Sequence, residues 1–210
     1  MAVVDLADVE THVIARVLNE RLDGVSFLPD GVYELFAEHS IMPCVDGFPV
    51  QMGPEVPEML FIRRETGKYT GFWWCVGGLV KVFVEETGEG ESLSTAMIRH
   101  FQSTLGVGIV LPQGCAWNKP VMVAQHAPYE LDVAEGEFAG DEPSKHCISP
   151  TFLVKLQSQD FEFGTGADGR KEAGDFRWFP VDALPPDEEI AYRGQNTVRV
   201  MAEACRTLFS

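Results

Sequence analysis

The chain has 210 residues, 45% of them apolar, enough for one domain of ordinary size with a large buried core. Its formal net charge is −16, from 32 acidic and 16 basic residues, and such a surface repels nucleic-acid backbone and anionic lipid. No nucleic-acid or membrane partner is therefore expected, while a local cluster of Arg and Lys can still receive a small phosphorylated ligand.

Residues 5–22 are predicted as a helix, because Leu6, Val9, Val13, Val17 and Leu18 recur at helical spacing between charged residues. A second helix is signalled near 30–38, where Pro29-Asp30 precedes Val32, Leu35 and Phe36. Ile41–Asp46 opens an extended stretch and Met59–Ile62 reads as its strand partner. Trp73-Trp74 and Leu79–Val84 suggest further β structure around Gly77-Gly78. Residues 92–105 form the next helix, with Leu93, Met97, Phe101 and Leu105 as an i, i+4 stripe and Gly106 as its capping glycine. Val107–Leu111, Val121–Ala124, Phe152–Leu156 and Phe176–Phe179 are strand candidates; 130–146, acidic and Gly/Pro-containing, reads as an exposed loop. A last helix covers about 195–208, with Val198, Met201, Cys205 and Leu208 inward. Strands interleaved with a few helices argue for an α/β sandwich.

The five cysteines are scattered without metal-ligand or redox spacing, as expected for free thiols in a reducing compartment. No 18-residue apolar run exists, and Asp5, Asp8 and Glu10 stand where a signal peptide would be basic, so a cytoplasmic location is expected.

One segment carries chemistry: Phe72-Trp-Trp-Cys-Val-Gly-Gly78, then Glu91, then Arg99-His-Phe-Gln-Ser-Thr-Leu-Gly106-Val107. It resembles the Nudix box, G-x5-E-x7-R-E-U-x-E-E-x-G-U with U aliphatic. In that box glutamates one turn apart on a helix hold divalent metal ions, which neutralise a diphosphate and activate water. The Glu91-to-Arg99 spacing fits, and Gly106 and Val107 fall in place. The three helix glutamates are replaced by His100, Ser103 and Thr104, and twelve residues rather than five separate Gly78 from Glu91. Hydroxyls and a neutral imidazole are poor magnesium ligands.

Flanking segments extend the resemblance over about 27–200. Leu28-Pro-Asp, Pro43-Cys-Val-Asp46, Phe61-Ile-Arg-Arg64, Gln125-His126 and Asp175-Phe-Arg-Trp-Phe179 are similar to the GDP-mannose mannosyl hydrolase branch, which itself has a degenerate box. The resemblance implies a Nudix fold, an α/β/α sandwich around a mixed sheet, in 26–210, with residues 1–25 as an N-terminal helical extension. It implies attack at the sugar C1 carbon and one magnesium held by a helix glutamate, whose place is taken here by Thr104. The branch's general-base histidine has no counterpart in Ala191-Tyr-Arg-Gly194, and its arginine after the paired glycines is Leu79. Asp46, Arg64, the Gly77 carbonyl and Arg99 match.

Each candidate has a bland counterpart. Arg63 or Arg64 would clamp a diphosphate by forked hydrogen bonds, or one of them would point to solvent from an alternating strand. Arg99 would bind substrate, or pair with Glu91 and fix the loop to the helix. His100 is the candidate base beside Glu91, or a helix histidine with no task; His126 and His146 are structural unless they converge. Gly77 and Glu91 would hold Mg2+ or Mn2+, with Glu85, Glu86 and Glu89 as replacement carboxylates or as a solvated loop. Trp74 is pocket wall or core, as are Trp73 and Trp178. Two functions follow: a hydrolase of a nucleoside diphosphate linked to another moiety, such as a nucleotide sugar, or a catalytically inactive Nudix-fold module binding a nucleotide-like small molecule or a protein. The apolar stripe of the first helix must be covered, which a homodimer would do.

Overall fold

The computed structural model describes residues 40–81, 90–131, 138–142, 145–165 and 171–210. The two helices expected over 5–22 and 30–38, and Glu85, Glu86 and Glu89, lie outside them. The described elements, in order, are β1 (Ile41–Met52), β2 (Pro57–Arg64), β3 (Trp73–Trp74), β4 (Val76–Leu79), α1 (Leu93–Leu105), β5 (Ile109–Val110), β6 (Met122–Ala127), β7 (Phe138–Asp141), β8 (His146–Leu156), β9 (Ala173–Pro180) and α2 (Gln195–Phe209). Two 3-10 turns, Asp187–Glu189 and Ala191–Arg193, lead into α2.

The strands form one mixed sheet in the order β3-β2-β1-β8-β6-β7, with β4 also on β1, β5 on β8 and β9 on β2. The β1–β8 and β6–β7 pairs are parallel and the others antiparallel. Side chains alternate between the two faces of a strand, so β1 feeds two cores. Val45, with Leu60 and Ile62 of β2, packs under Met97, Phe101 and Leu105 of α1. Phe48 and Val50, with Met59 and Phe61, pack under Val198, Met201 and Cys205 of α2. This is the expected helix–sheet–helix sandwich. Phe48 and Phe101 are fully buried, and burial of a ring of this size is worth about 1.5–3 kcal/mol.

The α1 termini follow the capping chemistry of their residues. Ser92 Oγ accepts from the Thr95 amide at 3.1 Å, and Gly106, at φ 66°, returns its N–H to Gln102 O at 3.0 Å.

Two expectations change. The loop expected over 130–146 contains β7, which pairs with β6 from Ala124↔Phe138 to Ala127↔Asp141. Its four residues, Phe-Ala-Gly-Asp, are too few to show an alternating pattern; the open edge of β6 supplies its hydrogen bonds. The expected strand over Val107–Leu111 shrinks to Ile109–Val110, where β8 offers a partner.

Candidate functional site

The paired glycines lie on β4, beside β1, with Asp46 opposite Gly77 and Val45 opposite Gly78. Opposed residues share a face, so the two glycines look to different sides of the sheet. A Cβ on Gly77 would stand 2.1 Å from Asp46 Oδ1 and 2.4 Å from Val45 O; one on Gly78 would stand 2.5 Å from His100 Cε1. The pair therefore lets Asp46 on the α2 side and His100 on the α1 side approach the same short strand.

On the α1 side the helix residues are committed to the fold. Arg99 Nε and Nη2 donate to Glu91 Oε1 and Oε2 at 2.7 and 2.8 Å, and the Lys81 amide donates to Glu91 Oε2 at 2.8 Å. Arg99 Nη2 also reaches Leu79 O at 2.8 Å. Burial pushes the Glu91 carboxyl up, but the Arg99 and Lys81 hydrogen bonds and the Arg99 charge together hold it below its ordinary value. Glu91 thus ties Lys81, just after β4, to α1. Arg99 is bound to Glu91 and Leu79.

His100 Nε2 lies 3.0 Å from Leu79 O. A carbonyl only accepts, so the proton sits on Nε2 and Nδ1 keeps its lone pair. Burial and then the Arg99 charge lower the His100 pKa, against the Leu79 carbonyl and the fields of Glu172 and Asp46. The imidazole is neutral at pH 7. Ser103 Oγ turns back to His100 O at 3.1 Å, while Thr104 Oγ1 donates to Glu172 Oε2 at 3.0 Å. Nothing in the sequence around Glu172 marks it as a partner of α1. It stands just before β9, and only the pairing of β9 with β2 carries it to α1; no local pattern signals that.

The magnesium or manganese implied by the resemblance needs several hard, anionic oxygens in one place. Among the described residues no three His, Cys, Asp or Glu side chains come together as a metal site. Glu91 is tied to Arg99, and α1 offers an imidazole and hydroxyls with the single carboxylate of Glu172. These residues do not fit the metal.

The α2 side is built differently. Asp46 Oδ2 accepts from Ser149 Oγ at 2.6 Å. Simple alternation would send Arg64 to the face of Ile62, but the β2–β9 register shifts between Arg63 and Arg64, with Gly174 of β9 unopposed, and Arg64 departs from that alternation. The Arg64 guanidinium lies over the Tyr192 ring, 5.3 Å from its centroid. Its buried Nε has no hydrogen-bond partner, and it forms no ion pair with a described residue. Arg63 is exposed, donates from Nε to Gly71 O at 2.9 Å and lies over Trp73. Arg64 faces the interior and Arg63 does not.

Trp74 is buried, edge-on to Phe48, His126 and Tyr192, at centroid distances of 5.9, 6.0 and 5.3 Å. His126 is 4% exposed, and neither of its ring nitrogens has a partner among the described residues. Burial holds its pKa low against the opposing field of Asp46, so this imidazole is neutral too. His146 turns instead to Tyr129, whose hydroxyl lies 2.9 Å from Nδ1; the two histidines do not share a site. Tyr192 (φ 60°) and Arg193 (φ 49°) both occupy the left-handed region, at a cost of about 1–3 kcal/mol each for side chains of this kind. Among the sequence candidates, Asp46, Arg64, Trp74 and Gly77 gather on this side, and His100, Glu91 and Arg99 on the other.

No protein-family profile and no curated protein matches the chain in sequence. Solved structures do match. A MutT Nudix hydrolase from Burkholderia pseudomallei shares 19% identity over 76% of this chain and 97% of its own, at a TM-score of 0.51. A possible asymmetric diadenosine tetraphosphate hydrolase from Jonesia denitrificans shares 19% over 82% and 98%, at 0.57. A Nudix-family hydrolase from Clostridium perfringens shares 17% over 80% and 98%, at 0.53. At these identities the likeness is one of architecture, and it agrees with the sheet order and the two flanking helices: the chain has the fold of the Nudix hydrolases.

Proposed function

We infer that the protein is a Nudix-type hydrolase of a nucleoside diphosphate linked to another moiety, with nucleotide sugars the favoured class. The observation that carries this is Arg64, a guanidinium with a buried, unpartnered Nε and no ion pair among the described residues, in a chain of net charge −16. A cation held unpaired within an aromatic wall suits a phosphate, whose oxygens take its forked N–H edge. Asp46, Trp74 and the backbone at Gly77 border the same side. His100, the base expected from the sequence, lies across the sheet on the α1 side and is not placed to act on a substrate held at Arg64.

A second reading is ligand binding without turnover, favoured by the full engagement of Glu91 with Arg99 and Lys81. A thermal-shift screen of nucleotide sugars and nucleoside diphosphates, with and without magnesium or manganese, followed by product analysis, separates the two. Stabilisation with product release supports the hydrolase; stabilisation with no product under any metal supports the binder. If Arg64→Ala is stabilised by every ligand as strongly as the parent, the diphosphate does not lie at Arg64 and both readings lose their anchor.

A cytoplasmic setting is proposed on the five free cysteines, and a homodimer on the apolar stripe of 5–22. Light scattering that gives one monomer mass at all concentrations removes the dimer.

A further inference from the structure

Tyr192 is the most unusual residue of the α2 side. Its half-buried ring is caged by Arg64 above, by Tyr69 at 4.6 Å, Trp74 at 5.3 Å and His126 at 5.7 Å between centroids. Its hydroxyl makes no hydrogen bond with a described residue and is not among the buried polar atoms, so no protein partner fixes the phenol in this seat. The ring is held there by two successive residues with positive φ, Tyr192 and Arg193. A side chain kept in place by a costly backbone, with no hydrogen bond to the fold from its own hydroxyl, is poorly explained as ordinary packing.

The walls of the cage are equally unfulfilled. His126 is more than nine-tenths buried, with both ring nitrogens unpartnered, and it faces the Tyr192 ring. Arg64 Nε lacks a partner above the same ring. Orphaned buried polar atoms are uncommon in folded proteins, and several around one ring are a concentration that calls for a ligand. A neutral imidazole offers one donor and one acceptor, and aromatic walls with a guanidinium face bind flat rings.

We propose that Tyr192 occupies the seat of a nucleobase, and that a nucleotide ligand displaces it so that the base takes its place between Trp74, Tyr69 and the face of Arg64, with its polar edge on His126. This rests on the proposed nucleotide function and deepens it: Arg64 then uses its face for the base and its N–H edge for phosphate. The seat is self-occupied until ligand arrives, so apparent affinity is reduced by the fraction of molecules with Tyr192 in place.

The test is calorimetric titration of the full chain with inorganic pyrophosphate, UDP, GDP and ADP, on the parent, Tyr192→Ala and His126→Phe. Tyr192→Ala is expected to bind at least one nucleoside diphosphate fivefold or more tighter than the parent. His126→Phe is expected to bind the same nucleotide at least fivefold more weakly while its affinity for pyrophosphate is unchanged, a split that a general loss of structure would not produce. The His126→Phe arm stands even if Tyr192→Ala fails to fold. Equal affinities of parent and Tyr192→Ala for the nucleotides overturn the plug and leave the proposed function standing, as does a His126→Phe loss shared by pyrophosphate. Binding of none of the four by any variant overturns both.

Discussion

The imidazole of His100 lies against the backbone of Gly78, so close that a single methyl group there would approach within 2.5 Å of Cε1. The same histidine reaches Leu79 O through Nε2. Helix α1 is thus seated on β4 through a contact that only glycine permits.

Gly78→Ala is expected to push the imidazole off Leu79 O and to cost about 1–3 kcal/mol in urea unfolding. In a His100→Ala background the same substitution should cost clearly less, because the obstructing ring is gone. Equal costs in both backgrounds would show that the two residues are not coupled. Gly77→Ala meets the Val45 carbonyl, which is backbone and cannot step aside, so removing the His100 ring should not relieve its cost.

Arg99→Ala leaves the Glu91 carboxylate, 2% exposed, with only the Lys81 amide among the described residues. Removing one partner of a buried pair costs about 3–5 kcal/mol; since Arg99 is 27% exposed, the lower part of that range is expected. Chemical denaturation measures it. The Glu91 pKa is depressed in the fold, so this stability is complete above the unfolded carboxyl value of about 4.3 and lost as pH falls through the folded value. Parent and Arg99→Ala should therefore converge in stability as pH drops below about 4.

His100 and His126 titrate in the opposite sense to a paired histidine. Both have lowered pKa values, so the unfolded chain takes up the proton first as pH falls below about 6.5. Stability is full above that pH and declines towards the folded values. Melting temperatures measured from pH 7.5 to 5 should fall, and His126→Gln should flatten part of the slope. A slope unchanged in His126→Gln would show that this ring is not buried neutral.

Arg64→Lys keeps the charge but loses the planar fork and the stacking face. Ligand affinity in the thermal-shift or calorimetric assay should fall about tenfold, which is about 1.4 kcal/mol. Affinity preserved in the lysine variant would mean that Arg64 acts as a point charge alone.

Much of the scaffold was legible along the chain. The i, i+4 stripe Leu93–Met97–Phe101–Leu105, with Ser92 before it and Gly106 after it, defines α1 because periodicity and capping are local properties. The strand at Met59–Ile62 and the final helix were visible for the same reason. β7 was not, since an edge strand is made by its neighbour's open hydrogen bonds rather than by its own pattern. The Glu91–Arg99 spacing announced their pairing, but not that Lys81 would complete the ring of donors around that carboxylate.

By itself the sequence determined the α/β composition, the capped helix over 93–105, the final helix and the acidic charge, all properties of residue type and spacing. Tertiary structure alone decided which side each candidate faces. The end of β2, where its register with β9 shifts, set Arg64 on the α2 side, β9 carried Glu172 to Thr104, and a left-handed turn set Tyr192 among Arg64, Trp74 and His126. The physical reason is that register shifts, long-range strand pairing and backbone strain join residues far apart in the chain, so their outcome is fixed by packing and hydrogen-bond closure across the sheet, not by any local run of residues.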